Sequence, residues 1–125
     1  MTDEITLTIP RDRALYSVAH LVLGGLGIRM NLTIEHLEDL QLALETVLES
    51  APEGEDVTIV MRLDDGEMQT RVGPMNDGAR AELAAEEGDD VGLRRILGAL
   101  LDRVEVESDE RGDWVKMTKT LEAQA

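Results

Sequence analysis

Two carboxylates four residues apart, Glu45 and Glu49 in the run LALETVLES, come nearest to chemistry by type and spacing. On a helix that spacing brings both side chains to one side, a turn apart. They form either a catalytic pair or the solvated edge of an amphipathic helix. Taken alone they read as the edge, because carboxylates usually stay exposed. Other candidates are weaker. His20 and His36 fall on separate predicted helices with no close His, Asp or Glu spacing, so they read as ordinary surface or boundary histidines. The acidic run Glu86 to Asp90 lacks the alternating ligands, central glycine and terminal glutamate of a calcium loop. It reads as a solvated charge run whose Asp89 or Asp90 caps the next helix. Ser17, Ser50 and Ser108 have no nucleophile-elbow context, and there is no glycine-rich phosphate loop.

The elements that must position these residues follow from periodicity. Residues 5–9 alternate as a strand with Ile5, Leu7 and Ile9 on one face, and Pro10 is expected to stop it. Asp12 can cap a helix carrying Leu15, Val18, Ala19, Val22 and Leu26, whose end Gly24, Gly25 and Gly27 should weaken and terminate. Thr33 can cap a second helix running to about Ser50, with Leu37, Leu40, Leu44, Val47 and Leu48 in one stripe. Residues 57–63 and 67–72 read as a hairpin around Asp65-Gly66. A polar stretch from Gly73 to Asp90 follows, whose ARAELAAEE segment could form a short helix. Then come a helix from Gly92 to Leu101 and strands at 104–108 and 114–121. The order β-α-α-β-β-α-β-β predicts an α+β two-layer sandwich, a mostly antiparallel sheet with helices on one face. No repeat or linker is visible, so residues 1–125 read as one domain.

Composition narrows the function. The chain has 125 residues, 42% of them hydrophobic, with no Phe, one Trp and one Tyr, so its core must be aliphatic and methionine-based. With 27 acidic and 12 basic residues, its formal net charge is −15. Such a surface repels phosphates and anionic lipid, which argues against direct nucleic acid or membrane binding and suits a basic protein partner. There is no cysteine, so thiol catalysis, disulfides and cysteine-based zinc sites are excluded. The opening MTDEITLTIP reads as a strand, not a signal peptide, and the expected location is cytoplasmic.

The strand ITLTIP, the helix LEDLQLALETVLES and the stretch VGLRRILGALLDRVEVESDERGDWVKMTKTL together resemble the anti-sigma-factor serine/threonine kinases. These are small members of the GHKL ATPase superfamily used in bacterial partner switching. The resemblance covers nearly the whole chain in the same element order. It implies a GHKL-like sandwich and aligns Glu45 with the family's functional acid, which orients or activates the attacking hydroxyl. Glu49 falls where the family has a Mg²⁺-binding Asn. Gly92 and Leu93 occupy the turn that opens the helix beside the phosphates.

Several of these positions depart from the family pattern. A glutamate at position 49 can ligate a metal but adds negative charge beside a triphosphate and offers no donor. Asp77 comes several residues too late for the adenine-binding Asp-x-Gly-x-Gly. Asp89 and Asp90 make acidic a lid that is glycine-rich in the family. Gly112-Asp113-Trp114 replaces a Gly-Thr-Thr near the adenine. Ser17 stands about where the family's first helix carries a sigma-contacting Arg. The resemblance therefore implies a degenerate nucleotide site and no bound cofactor. The expected function is an anti-sigma-factor-like regulator that binds a sigma factor or an anti-sigma-factor antagonist. Family members are usually dimers, but no seam can be picked out here. The alternative is an active kinase using ATP with Mg²⁺, with Glu45 as base and Glu49 as metal ligand. A third reading takes the likeness as architectural only, a generic α+β interaction domain.

Overall fold

The computed structural model describes residues 3–29, 32–49, 54–64, 66–75, 93–110 and 112–120. Strand β1 (Asp3–Arg11) leads through a 3-10 turn (Arg13–Leu15) into α1 (Tyr16–Arg29) and α2 (Ile34–Glu49). The hairpin β2 (Gly54–Asp64) and β3 (Glu67–Met75) follows, then α3 (Leu93–Leu100) and the hairpin β4 (Arg103–Asp109) and β5 (Gly112–Thr120). The strands form one sheet in the order β1-β2-β3-β5-β4, and every neighbouring pair is antiparallel. The α+β sandwich expected from the element order is the observed architecture.

Alternation decides which side of the sheet is covered. Ile9, Val57, Ile59, Met61, Met68, Val72, Val115 and Met117 are buried on one face. Against them pack Leu23 of α1, Leu40, Leu44 and Leu48 of α2, and Leu97 of α3. Gly66 takes φ +77°, the left-handed conformation that the Asp-Gly turn favours. Lys119, near the end of β5, donates to Asp39 of α2 at 3.2 Å and to the Leu100 carbonyl at 2.9 Å, which ties the sheet to two helices.

Two local expectations are corrected. Pro10 does not stop β1, which continues to Arg11. β1 is an edge strand, so a missing N–H on its open side removes no ladder bond, and the register shift between Ile9 and Arg11 absorbs the irregularity. The α1 glycines do not end the helix, which runs through all three to Arg29. A Cβ at Gly27 would stand 3.2 Å from Leu37 Cδ1 and 3.4 Å from Leu32 Cδ1. The glycine there serves close approach to the next helix, and tertiary packing outweighs its low helix propensity. The expected short helix in ARAELAAEE lies outside the described residues.

Candidate functional site

Both caps expected for the helix pair are present. The Asp12 carboxylate accepts from the Ala14 N–H at 3.0 Å and opens the 3-10 turn before α1. The Thr33 hydroxyl accepts from the His36 N–H at 3.1 Å at the start of α2. The two helices then run antiparallel along a seam. The Tyr16 hydroxyl donates to the Leu48 carbonyl at 3.2 Å, and Gln41 Nε2 donates to the His20 carbonyl at 3.3 Å. Gly27 meets Leu37 at the far end.

Glu45 and Glu49 share one side of α2, as their four-residue spacing requires, and the packing of the helices turns that side toward α1 and the turn before it. Each faces a cation or potential cation of the same chain. Arg13 Nη2 donates to Glu49 Oε2 at 2.9 Å. His20 Nε2 stands 3.8 Å from Glu45 Oε2, beyond hydrogen-bond reach, and makes an ion pair only when the imidazole is protonated. Neither acid sits in the apolar stripe, which is formed by Leu40, Ala43, Leu44, Val47 and Leu48.

The remaining sequence candidates are scattered. Leu93 is the first residue of α3, and its side chain is outside the described residues. Gly92, Asp77 and the run Glu86 to Asp90 also lie outside them. His36 is at the start of α2 and Ser17 is exposed on α1. Asp113 shares the parity of Val115 and Met117 and pairs with Met75, so it belongs to the helix-covered face. Trp114 belongs to the opposite face. Its ring lies over Gly73, where an added Cβ would be 2.6 Å from the indole Cδ2, and Arg71 stacks on it at 5.2 Å. The indole is therefore not beside α2.

The alternative reading calls for Mg²⁺ with a nucleotide. The cation prefers several oxygens in octahedral array. Among the described residues no group of three or more His, Asp or Glu is placed to hold a metal ion. The Glu49 carboxylate already accepts a hydrogen bond from a guanidinium. Sequence reasoning missed Arg13 and its reach to Glu49. No spacing rule links a turn residue to a helix end 36 positions later, and only the antiparallel return of α2 brings them together.

No protein-family model matches the chain. It is similar to the serine-protein kinase RsbW of Listeria monocytogenes serotype 4a (strain HCC23), at 29% identity over an alignment covering 97% of this chain and 89% of the relative. The same protein name, identity and coverage hold for serotype 4b strains CLIP80459 and F2365. Among the described residues no helix is long and apolar enough to cross a membrane.

Proposed function

We propose that this chain is an anti-sigma-factor-like regulatory protein that acts by protein binding in a partner switch, without ATP binding or phosphotransfer. Its partners would be a sigma factor or an antagonist of the anti-sigma factor, and its place the cytoplasm. The likeness to RsbW over nearly the whole chain supports the family reading. The observation that carries the non-catalytic part is the Arg13–Glu49 pair. At the position where the family resemblance calls for a neutral metal ligand, the side chain is a carboxylate engaged by the chain's own arginine. A triphosphate brought to this place meets added negative charge, and a metal must displace the guanidinium. Calorimetric titration with Mg-ATP tests the reading, and no saturable heat at micromolar to millimolar nucleotide is expected. Saturable micromolar binding would sink the non-catalytic part.

A second reading is favoured by Glu45. It keeps the place of the family's acid, is partly exposed, and makes no close hydrogen bond in the described structure. The relatives named above are called serine-protein kinases. In this reading Glu45 is the base, Glu49 a metal ligand, and ATP with Mg²⁺ the cofactor. Phosphate transfer to a small antagonist protein, abolished by Glu45→Gln, would establish it.

A further inference from the structure

The sheet ends at β1 on one side and at β4 on the other, and the two edges differ. An edge strand turns a row of unpaired N–H and C=O groups outward, a template for another strand. β1 is a poor template. Pro10 has no N–H to offer, and the register shifts between Ile9 and Arg11. β4 reads RVEVESD, with neither proline nor glycine, and pairs with β5 without a shift from Arg103 to Asp109. Arg103, Glu105, Val106, Ser108 and Asp109 are all exposed, so this edge faces solvent.

Side chains along β4 alternate between the two faces of the sheet. Val104 and Val106 pair with Met117 and Val115 on the helix-covered face. Val104 packs against the core, whereas Val106 is left 38% exposed at the sheet margin. Glu105 and Glu107 pair with Lys116 and Trp114 on the outer face. Glu107 is engaged by Arg71 at 3.1 Å, and Arg103 stands 3.4 Å from Glu67. Glu105, between them, makes no ion pair among the described residues. A strand laid on this edge therefore meets an open carboxylate on one face and an open valine on the other, one residue apart.

The sign of the charge selects the occupant. From Glu105 to Glu110 the chain reads EVESDE, with four carboxylates and no cation. Carboxylates along an edge keep like strands apart. Two copies paired antiparallel about Val106 would set Glu105 of one opposite Glu107 of the other, twice on one face. A basic strand meets the same charges as attraction, and the net charge of −15 steers it toward the chain.

We propose that the open edge of β4 takes an extended basic segment of a partner protein as an added strand. Lysine or arginine of that segment lies opposite Glu105 on the outer face, and an aliphatic side chain covers Val106 on the helix-covered face. Main-chain hydrogen bonds to β4 hold the segment, and the alternation of its side chains gives specificity. This deepens the binding-protein reading above and rests on it.

The probe is an end-capped peptide of alternating lysine and valine, about eight residues long. Two controls test the pattern: one of the same composition with its lysines and valines in two separate runs, and one with glutamate for lysine. Two further forms are N-methylated, one at the lysines and one at the valines. Successive residues of a strand turn their N–H groups to opposite edges. One methylated form should therefore bind as the parent peptide does, and the other should not. Anisotropy titrations of the full chain should show saturable binding of the alternating peptide and of neither control. Amide exchange should slow on binding at alternate residues of β4. Glu105→Lys reverses an exposed charge and should weaken binding about fivefold or more. If that variant misfolds by circular dichroism, the methylated pair on the parent chain decides. Equal binding of the two-run peptide, or of both methylated forms, overturns the proposal, because charge alone then accounts for the binding. Protection confined to α1, α2 or β1 overturns it as well. So does a concentration-dependent dimer of the chain alone with protected β4 amides, since the occupant is then a second copy. The two ideas fail separately. Saturable Mg-ATP binding sinks the non-catalytic reading and leaves the β4 edge intact. Absence of peptide binding without nucleotide binding sinks the edge proposal alone.

Discussion

Arg13 and Glu49 lie 36 positions apart in sequence and 2.9 Å apart in space, joining the turn before α1 to the last residue of α2. Both side chains are substantially exposed, so solvent and salt screen their attraction. Arg13→Ala is therefore expected to lower unfolding stability by no more than about 1 kcal/mol at low salt. The difference should vanish in molar salt. Urea unfolding of the variant and parent at both ionic strengths checks this. A loss that persists at high salt would mean that the pair works through packing and not charge.

The α1 glycines yield a ranked pair of substitutions. Gly25→Ala meets nothing within 4 Å, so it should gain helix propensity, about 0.5–1 kcal/mol. Gly27→Ala gains the same propensity but sets its methyl 3.2 Å from Leu37 Cδ1. That atom ends a flexible side chain and must shift by a few tenths of an ångström, offsetting part of the gain. Thermal unfolding should rank Gly25→Ala above Gly27→Ala. The reverse order would mean that α2 closes on α1 less tightly than described.

The fold was largely legible because its signals are local. Alternation in ITLTI, VTIVMRL and VEVES marks strands, the Leu40–Leu44–Val47–Leu48 stripe marks α2, and Asp12 and Thr33 announce their caps. What local pattern could not show was the neighbour. Pro10 reads as a stop until β1 proves to be an edge strand, and Gly27 reads as a helix end until Leu37 packs on it. The same limit holds at the site. Spacing placed Glu45 and Glu49 on one side of α2, but that they face His20 and Arg13 depends on the helix crossing. Trp114 makes the point most sharply. In sequence it stands in the resemblance's adenine-pocket motif, yet strand parity turns its ring to the far side of the sheet.

That ring makes Gly73 a sensitive position. An added Cβ would be 2.6–2.9 Å from three indole atoms, closer than carbon atoms can pack. The indole is wedged between Gly73 and Arg71, so Gly73→Ala must expel it or bend β3. A loss of about 2 kcal/mol or more is expected, in the range of overpacked sites. Because Trp114 is the chain's only tryptophan, its fluorescence reports directly on the displacement. A shift to the wavelength of a solvated indole, with reduced stability, is the expected outcome. An unchanged spectrum and midpoint would mean that the ring does not rest on Gly73.

Thr70 offers the opposite kind of change. It lies on the helix-covered face of β3 between Met68 and Val72, is 2% exposed, and its hydroxyl has no hydrogen-bond partner in the described structure. A buried hydroxyl left unpaired has lost its water without replacement, which costs about 1–3 kcal/mol. Valine has nearly the same shape, and β-branched residues suit a central strand. Thr70→Val should therefore raise stability by about 1 kcal/mol, the smaller end, because the hydroxyl's removal leaves the packing around it unchanged. Thr70→Ser keeps the polar group and deletes a buried methyl, so it should lower stability by a similar amount. Urea midpoints on the three chains separate the terms. If valine destabilises, the hydroxyl has a hydrogen-bonding partner in solution, and the core beneath α2 is more polar than its side chains indicate.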